Sequence, residues 1–324
     1  VTTTTILLSP DDPASIGRAA DLLDAGALVA LPTETVYGLA ADAARGEAVA
    51  AVFEAKGRPR FNPLIVHVSD LAMARRDVHL DAATERLAAR FWPGPLTLVL
   101  PKAAGSAVHP LASGGLDTLA LRMPRGAMAD VIARLGRPVV APSANPSGRI
   151  SPTAASDVMR GLSGRIAAVL DGGRAPHGLE STVVKPLPDR LVLLRPGPID
   201  REALADAAGL PVVDPEAGSG IESPGQLLSH YAPQGRVRLD ARRVEPGEAL
   251  IGFGPEGAAN RAEALDFVNL SPSGDLVEAA ANLFAALHRF DRPDIEAIAV
   301  EPIPATGLGE AIADRLRRAA APRG

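Results

Sequence analysis

The chain contains no cysteine. Disulfides, thiolate metal sites and a cysteine nucleophile are therefore excluded together. With only 6 histidines and no thiolate, a structural zinc site is not expected. Aromatic residues make up 3%, so the core must be built mostly from Ala, Val, Leu and Ile, and stacking platforms for single-stranded RNA are scarce. Positive charge is not in excess: the formal net charge is -5. That argues against a broad nucleic-acid surface but leaves room for a local basic pocket. No uninterrupted apolar run approaches the roughly 18 residues of a membrane span. The segment Val1-Thr-Thr-Thr-Thr5 has no basic region followed by an apolar one, so no signal peptide is read and a cytoplasmic protein is expected. The P-loop pattern, the G-x-S-x-G elbow and H-E-x-x-H are missing too.

What is present is enough for two domains. The chain has 324 residues, 47% hydrophobic and 22% charged, so each of two units can bury a core. In residues 1–209, helices are read at Ala14–Ala25 and Glu47–Ala55, the second ended by Gly57. Strands are read at Leu28–Leu31, Leu64–Val68, Leu96–Leu100, Thr118–Met123, Val139–Ala141, Val169–Leu170, Ser181–Lys185 and Leu191–Leu194. Strands outnumber helices and are often joined by short loops, which favours a mixed or antiparallel α/β sheet over a doubly wound one. Residues 210–236 are rich in Pro, Gly and Ser and read as a linker. In residues 237–324, strands at Ala249–Phe253, Phe267–Leu270 and Ala297–Val300 alternate with helices at Ala258–Ala264, Leu276–Phe290 and Glu310–Ala320. That alternation predicts a small parallel, Rossmann-like domain. Gly252-Phe-Gly254 follows its first strand, but without the full dinucleotide fingerprint it is a weak nucleotide signal.

The polar groups concentrate elsewhere. Leu31-Pro-Thr-Glu-Thr-Val-Tyr-Gly-Leu39 and Lys56-Gly-Arg-Pro-Arg-Phe-Asn-Pro-Leu-Ile-Val-His67 place Thr33, Glu34, Thr35, Tyr37, Lys56, Arg58, Asn62 and His67 beside strand ends. A core has no use for so many such groups; a site for a small anion does. Lys56 and Arg58 suit a phosphate chain, one as a point charge and one as a planar fork. They equally suit a solvated helix C-terminus. Ala141-Pro-Ser-Ala-Asn-Pro-Ser-Gly148 offers Ser143 and Asn145, which face one side in an extended chain. The same composition also makes an ordinary turn. Arg122, at a buried strand end, must be paired, either with a substrate carboxylate or with an internal acid. Gly178-Leu-Glu-Ser-Thr-Val-Val184, Arg195-Pro-Gly-Pro198 and His230-Tyr-Ala-Pro233 complete the set. The last pair serves for packing or as a tethered aromatic closing on a ligand.

Taken in order, these stretches together with Phe91-Trp-Pro-Gly-Pro-Leu-Thr97, Asn269-Leu-Ser-Pro-Ser-Gly-Asp275 and Gly307-Leu-Gly-Glu-Ala-Ile312 resemble the threonylcarbamoyl-AMP synthase family in its two-domain form. The resemblance covers nearly the whole chain. It implies a YrdC-like twisted mixed sheet with a concave pocket, a linker acting as a lid, and a Rossmann-like C-terminal domain. The implied reaction turns L-threonine, bicarbonate and ATP into L-threonylcarbamoyl-AMP and pyrophosphate, with Mg²⁺ carried by the ATP and no organic cofactor. The product would feed threonylcarbamoyl-transfer proteins that modify adenosine 37 of tRNA; no stable nucleic-acid binding and no membrane are expected. By resemblance, threonine is held by Thr35, His67, Arg122, the backbone at Ala141, and Ser181. ATP is held by Arg58, Asn62, Thr118, Ser143, Ser151, Arg195, His230 and Tyr231, with Lys56 and Asn145 completing a paired K-x-R and S-x-N signature. No side chain stands out as a general base. The linker departs from the family pattern at Gln226-Leu-Leu-Ser229, where a basic residue is usual. Two other classes remain open: an RNA-binding module, disfavoured by charge and aromatic content, and a carbamoyl-transfer enzyme of the hydrogenase-maturation kind, disfavoured by the lack of cysteine zinc fingers.

Overall fold

The computed structural model describes residues 4–216, 218, 220–226 and 230–322. Of the atypical linker stretch only Gln226 is included; Leu227, Leu228 and Ser229 lie outside the described residues. The strands are β1 (Ile6–Leu8), β2 (Val29–Leu31), β3 (Gly38–Asp42), β4 (Ile65–His67), β5 (Leu96–Pro101), β6 (Thr118–Arg122), β7 (Val139–Val140), β8 (Ala168–Leu170), β9 (Thr182–Pro186), β10 (Leu191–Arg195), β11 (Val212–Val213), β12 (Arg236–Arg238), β13 (Glu248–Gly252), β14 (Phe267–Asn269) and β15 (Ala297–Val300). The helices are α1 (Ser15–Asp24), α2 (Gly46–Lys56), α3 (Leu71–Asp77), α4 (Ala82–Phe91), α5 (Pro110–Ser113), α6 (Ala127–Leu135), α7 (Ala155–Leu162), α8 (Arg201–Ala208), α9 (Leu276–Phe290) and α10 (Leu308–Ala320).

Strands β1 to β11 form one sheet in the order β1-β8-β2-β3-β7-β4-β6-β5-β9-β10-β11. It is mixed: β4 runs parallel to β6 and antiparallel to β7, while β5 runs antiparallel to β6 and parallel to β9. The linker's first residues join it as β11, parallel to β10. The second sheet, β12-β15-β13-β14, is parallel throughout. β15 matches the sequence expectation residue for residue, and so does α9.

Several helices carry start signals that the apolar pattern alone does not reveal. Asp70, Asp81 and Asp200 cap α3, α4 and α8 by accepting from the backbone N–H three residues on. β3 is built of small residues, Gly-Leu-Ala-Ala-Asp, with little intrinsic strand preference. It forms because it is buried on both faces between β2 and β7.

The helix expected at Ala258–Ala264 is reduced to a single 3₁₀ turn, Arg261–Glu263. Two side chains divert the backbone. Ala258 N–H donates to Glu301 at 2.7 Å, and Asn260 bonds both the N–H and the C=O of Val244. The same carboxylate accepts from Phe253 N–H at 3.1 Å and pairs with Arg261. The Gly252-Phe-Gly254 loop is thus tied to an anion of the protein itself.

The two sheets are not separately packed. Val36, Ile150, Leu179 and Tyr231 from the first region share one buried cluster with Ala280, Leu283 and Phe284 of α9. Gly178 marks the close approach, with φ +63: a Cβ there would stand 2.5 Å from the carbonyl oxygen of Ala281. Among the described residues, no helix is long and apolar enough to cross a membrane.

Candidate active site

Register across the first sheet aligns the chemistry. His67 on β4 pairs with Arg122 on β6, Arg122 with Thr97 on β5, Thr97 with Val183 on β9, and Val183 with Arg195 on β10. Ile65, Val99, Ala120, Val183 and Leu194 form a small buried cluster. Ile65, Val99 and Ala120 share a face with His67, Thr97 and Arg122 by two-residue alternation. A cavity of about 40 Å³ lies on this face.

The loop from β2 to β3 closes one side. Thr33 Oγ accepts from the N–H groups of Thr35 and Val36 and donates to the carbonyl of Val36, a hydroxyl-organised turn. Thr33 lines the cavity; Thr35 is fully buried behind it, its hydroxyl 2.8 Å from that of Thr33. Glu34 answers the question raised by Arg122. Its Oε1 accepts from Arg122 Nη2 at 2.8 Å, and its Oε2 from the N–H of Arg125 at 2.9 Å. Burial opposes ionisation of Glu34, but Arg122 and the Arg125 N–H outweigh it and hold the carboxyl below its usual range. Arg122 Nε donates to the Gly94 carbonyl, so Nη1 is the nitrogen with no hydrogen bond to a described residue.

Lys56 and Arg58 are not a solvated helix end. They are 3% and 8% exposed. Gly57, in the left-handed conformation at φ 62, turns the chain between them. Lys56 Nζ donates to the carbonyls of Ser143 and Asn145. The K-x-R and S-x-N stretches are therefore physically coupled, with the lysine fastening the loop after β7 rather than lining the cavity. Arg58 does line it, with Nη2 on the Pro63 carbonyl.

In the loop after β7, Ala141, Pro142 and Ser143 reach the cavity. Asn145 does not share that side, contrary to the extended-chain expectation, because its amide donates to the carbonyls of Pro146 and Arg149. Ser181 lines the cavity between Thr97, whose hydroxyl is 2.7 Å away, and Arg195, which donates to both its hydroxyl and its carbonyl at 3.0 Å.

The roof comes from the linker. Pro224, Gly225, His230 and Tyr231 all line the cavity. A side chain at Gly225 would meet Arg195 Cδ at 2.7 Å. Gln226 folds back, its amide oxygen accepting from the N–H groups of Glu222 and Ser223 at 2.7 and 2.9 Å. Glu222 also pairs with Lys185 of β9.

The structure thus brings His67, Arg122, Ala141, Ser181, Arg58, Ser143, Arg195, His230 and Tyr231 onto one cavity. Thr35, Lys56, Asn62, Asn145 and Ser151 are buried but outside its lining. Thr118 shares the sheet face, yet it is half-buried, four residues from Arg122, and not part of the wall. Sequence reasoning left Thr33, Thr97, Glu34 and Glu180 without site roles. Their signal was present in the PTET, PLT and LEST stretches, but the partners of Glu34, Thr97 and Glu180 are far away in the chain.

Charge is the dominant property. Arg58, Arg122 and Arg195 line a cavity whose one lining carboxylate among the described residues is Glu180. Burial, then the nearby Arg195, lowers Arg58 to about 10; burial also lowers Arg195, and burial and Arg58 lower Lys56 well below its ordinary range. Buried cations in this state gain from a bound anion. Burial holds His67 and His230 neutral, each with a pKa of about 3. Asn62 Oδ1, Asn145 Oδ1, His230 Nδ1 and the Tyr231 hydroxyl are buried with no hydrogen-bond partner among the described residues. Native proteins rarely leave such atoms unpaired without a ligand or water. The fold and site together define a protein of two sheets sharing one core, with a cavity on the larger sheet lined by three arginines and closed over by Pro224, Gly225, His230 and Tyr231.

A family model described as telomere recombination, covering Sua5, YciO and YrdC, matches residues 21–197. A second, described as the threonylcarbamoyl-AMP synthase C-terminal domain, matches residues 199–321. The threonylcarbamoyl-AMP synthase of Bacillus subtilis is 40% identical over 98% of this chain and 95% of its own. That of Pyrococcus abyssi is 41% identical over 93% and 92%. The crystal structure of P. abyssi Sua5 complexed with L-threonine superposes with a TM-score of 0.87 at 37% identity, covering 98% of each chain. The chain belongs to the threonylcarbamoyl-AMP synthase family.

Proposed function

We propose that the protein condenses L-threonine, bicarbonate and ATP into L-threonylcarbamoyl-AMP, releasing pyrophosphate, for formation of N6-threonylcarbamoyladenosine in tRNA. The carrying observation is the convergence of Arg58, Arg122 and Arg195 on one roofed cavity, with unpaired polar atoms around it. A relative with bound threonine and relatives named for this synthesis support the reading.

In this reading the cavity has two halves. Threonine takes the half at His67, Arg122, Ala141 and Ser181, with its carboxylate toward Arg122 and with Thr35 acting through Thr33. The triphosphate and nucleoside take the half at Arg58, Ser143, Arg195, His230 and Tyr231, backed by Lys56, Asn62, Asn145 and Ser151, with Thr118 farther out. The threonine amine attacks the bicarbonate carbon; the new C–N bond forms as a C–O bond breaks, and a carbamate and water result. A carbamate oxygen then attacks the α-phosphorus; the new O–P bond forms as the bond to pyrophosphate breaks, and pyrophosphate leaves with the electron pair. His67 and His230, with pKa values of about 3, are weak bases that orient by hydrogen bonding. Catalysis then rests on positioning and on cations facing the developing phosphate charge.

Mg²⁺ belongs with the ATP in this scheme, where it would neutralise phosphate charge. The described residues hold no cluster of three or more His, Cys, Asp or Glu side chains that could hold a metal ion; the unpaired amide oxygens of Asn62 and Asn145 are of the hard kind that ligates Mg²⁺ or accepts hydrogen bonds from its waters. The cavity of about 40 Å³ is far smaller than a nucleotide, so in this reading its wall opens to admit one. Pyrophosphate release measured with ATP and threonine, with and without bicarbonate, tests the proposal. Release that requires all three is expected; release indifferent to bicarbonate refutes it.

A further inference from the structure

Arg315 belongs to α10 of the second domain, yet its side chain stops behind the cavity wall. It is 0% exposed. Its Nε donates to Glu180 Oε2 at 2.8 Å, and its Nη1 to Asp314 at 2.8 Å and to the Pro196 carbonyl at 3.1 Å. Its guanidinium carbon lies 5.3 Å from the centroid of the Tyr231 ring. Glu180 and Tyr231 are themselves cavity-lining residues. The other oxygen of Glu180 accepts from the hydroxyl of Ser151. One turn further along α10, the carbonyl of Arg318 accepts from the N–H of His230 at 3.2 Å. Tyr231 needs such support, since its φ of 63 lies in the left-handed region that non-glycine residues avoid.

We propose that Arg315 is a positioning residue of the nucleotide half of the site. It neutralises Glu180 so that Arg195 remains available to an anion, and it sets the ring of Tyr231. The inference rests on the reading that this half of the cavity receives ATP.

Two observations separate this role from plain interdomain adhesion. First, α8 and α10 are already joined by Arg201 and Glu310, at 2.7 Å, on a half-exposed surface away from the cavity. A tie that only holds domains together gains little from being buried, because desolvation offsets the attraction. Second, the charges within the site are apportioned. Glu34 pairs with Arg122, and Glu180 pairs with Arg315. Arg195 is held by Ser181 rather than by a carboxylate. Remove Arg315, and the cation left beside the buried Glu180 is Arg195, which would be drawn from its place.

The test uses the full-length protein. Arg315→Met, Arg315→Lys, Glu180→Gln, the double variant Glu180→Gln/Arg315→Met, and Glu310→Gln are compared by KM for ATP, KM for threonine and thermal midpoint. ATP affinity is measured separately by titration calorimetry. Loss of a charge-assisted contact network predicts an ATP KM raised about tenfold or more in Arg315→Met, with threonine KM moving less than about twofold. Arg315→Lys recovers part of the loss. The double variant is less impaired than the product of the single effects, because the neutral amide in place of the Glu180 carboxylate no longer recruits Arg195. Glu310→Gln lowers the midpoint and leaves both KM values alone. Wild-type ATP affinity in Arg315→Met, or an equal ATP effect in Glu310→Gln, overturns the inference. Should Arg315→Met not fold, Arg315→Lys decides: a raised ATP KM at unchanged threonine KM supports the role, and unchanged kinetics overturns it. Absence of turnover in the wild-type protein strikes instead at the proposed reaction, since ATP affinity is read without it.

Discussion

Arg122 concentrates the residue-scale logic. A guanidinium at the end of a buried strand needs a partner, and Glu34, 88 positions away in the chain, supplies it. That pairing leaves Nη1, which the proposed reading assigns to the threonine carboxylate. Replacing Arg122 by Ala should raise the threonine KM about tenfold or more, as expected for a lost charged hydrogen bond, with a smaller effect on the ATP KM; the reverse pattern would refute the assignment of the two halves. The same substitution leaves Glu34 buried without its ion-pair partner, so a stability loss of about 3 kcal/mol should accompany it.

The histidines give a pH signature. His67 and His230 have folded-state values of about 3 against 6.5 unfolded. The unfolded chain therefore takes up the proton first. Their stabilising effect is complete above pH 6.5 and is lost as pH falls toward 3, at about 1.4 kcal/mol per pH unit for each histidine. Unfolding free energy measured across that window should fall steeply, and His67→Gln should flatten the slope by about one proton. An unchanged slope would show that His67 titrates elsewhere. What the sequence displayed at this scale was residue type: it showed that Arg122 needs a partner, but not that the partner is Glu34. Partners across the sheet depend on strand order, which no local pattern carries.

At the scale of elements, the site exists because β4, β6, β5, β9 and β10 bring five residues into one row. The strands were legible because they are apolar runs bounded by turn residues. Their order was not, and β3, Gly-Leu-Ala-Ala-Asp, left no periodic trace. Capped helices such as α4 were available to a reader of Asp81 and the four-residue rhythm after it. The failed helix at Ala258–Ala264 is the opposite case: local propensity pointed to a helix, and Glu301, 43 residues on from Ala258, overrode it. Lys56 is the element-scale hinge pin. Lys56→Met should leave the buried carbonyl of Asn145 without its donor, at about 1–3 kcal/mol, while that of Ser143 keeps the N–H of Asn145. Chemical denaturation should register that loss, together with a raised ATP KM; a Met variant of native stability would contradict the fastening role.

At the scale of the whole molecule, the second domain is part of the site's construction rather than an appendage. Phe284 of α9, fully buried, packs 5.4 Å from Tyr231, centroid to centroid. Phe284→Ala should destabilise the protein by about 3–5 kcal/mol and weaken ATP binding through the roof. A variant destabilised that far but with wild-type ATP affinity at low temperature would separate the roof from the core beneath it. The division into a larger mixed sheet and a smaller parallel one was readable from the change in strand and helix alternation near residue 237. That the two share a core was not, since the shared residues Val36, Ile150, Leu179 and Tyr231 look like ordinary loop apolars.

In the proposed reaction one cavity turns three substrates into a single mixed anhydride and pyrophosphate. Radiolabelled bicarbonate, supplied with threonine and ATP and followed by rapid separation, tests it most directly. Label is expected in one product that also contains threonine and AMP, formed in equal amount to the pyrophosphate released. Pyrophosphate without labelled product, or label that appears when threonine is omitted, would contradict it.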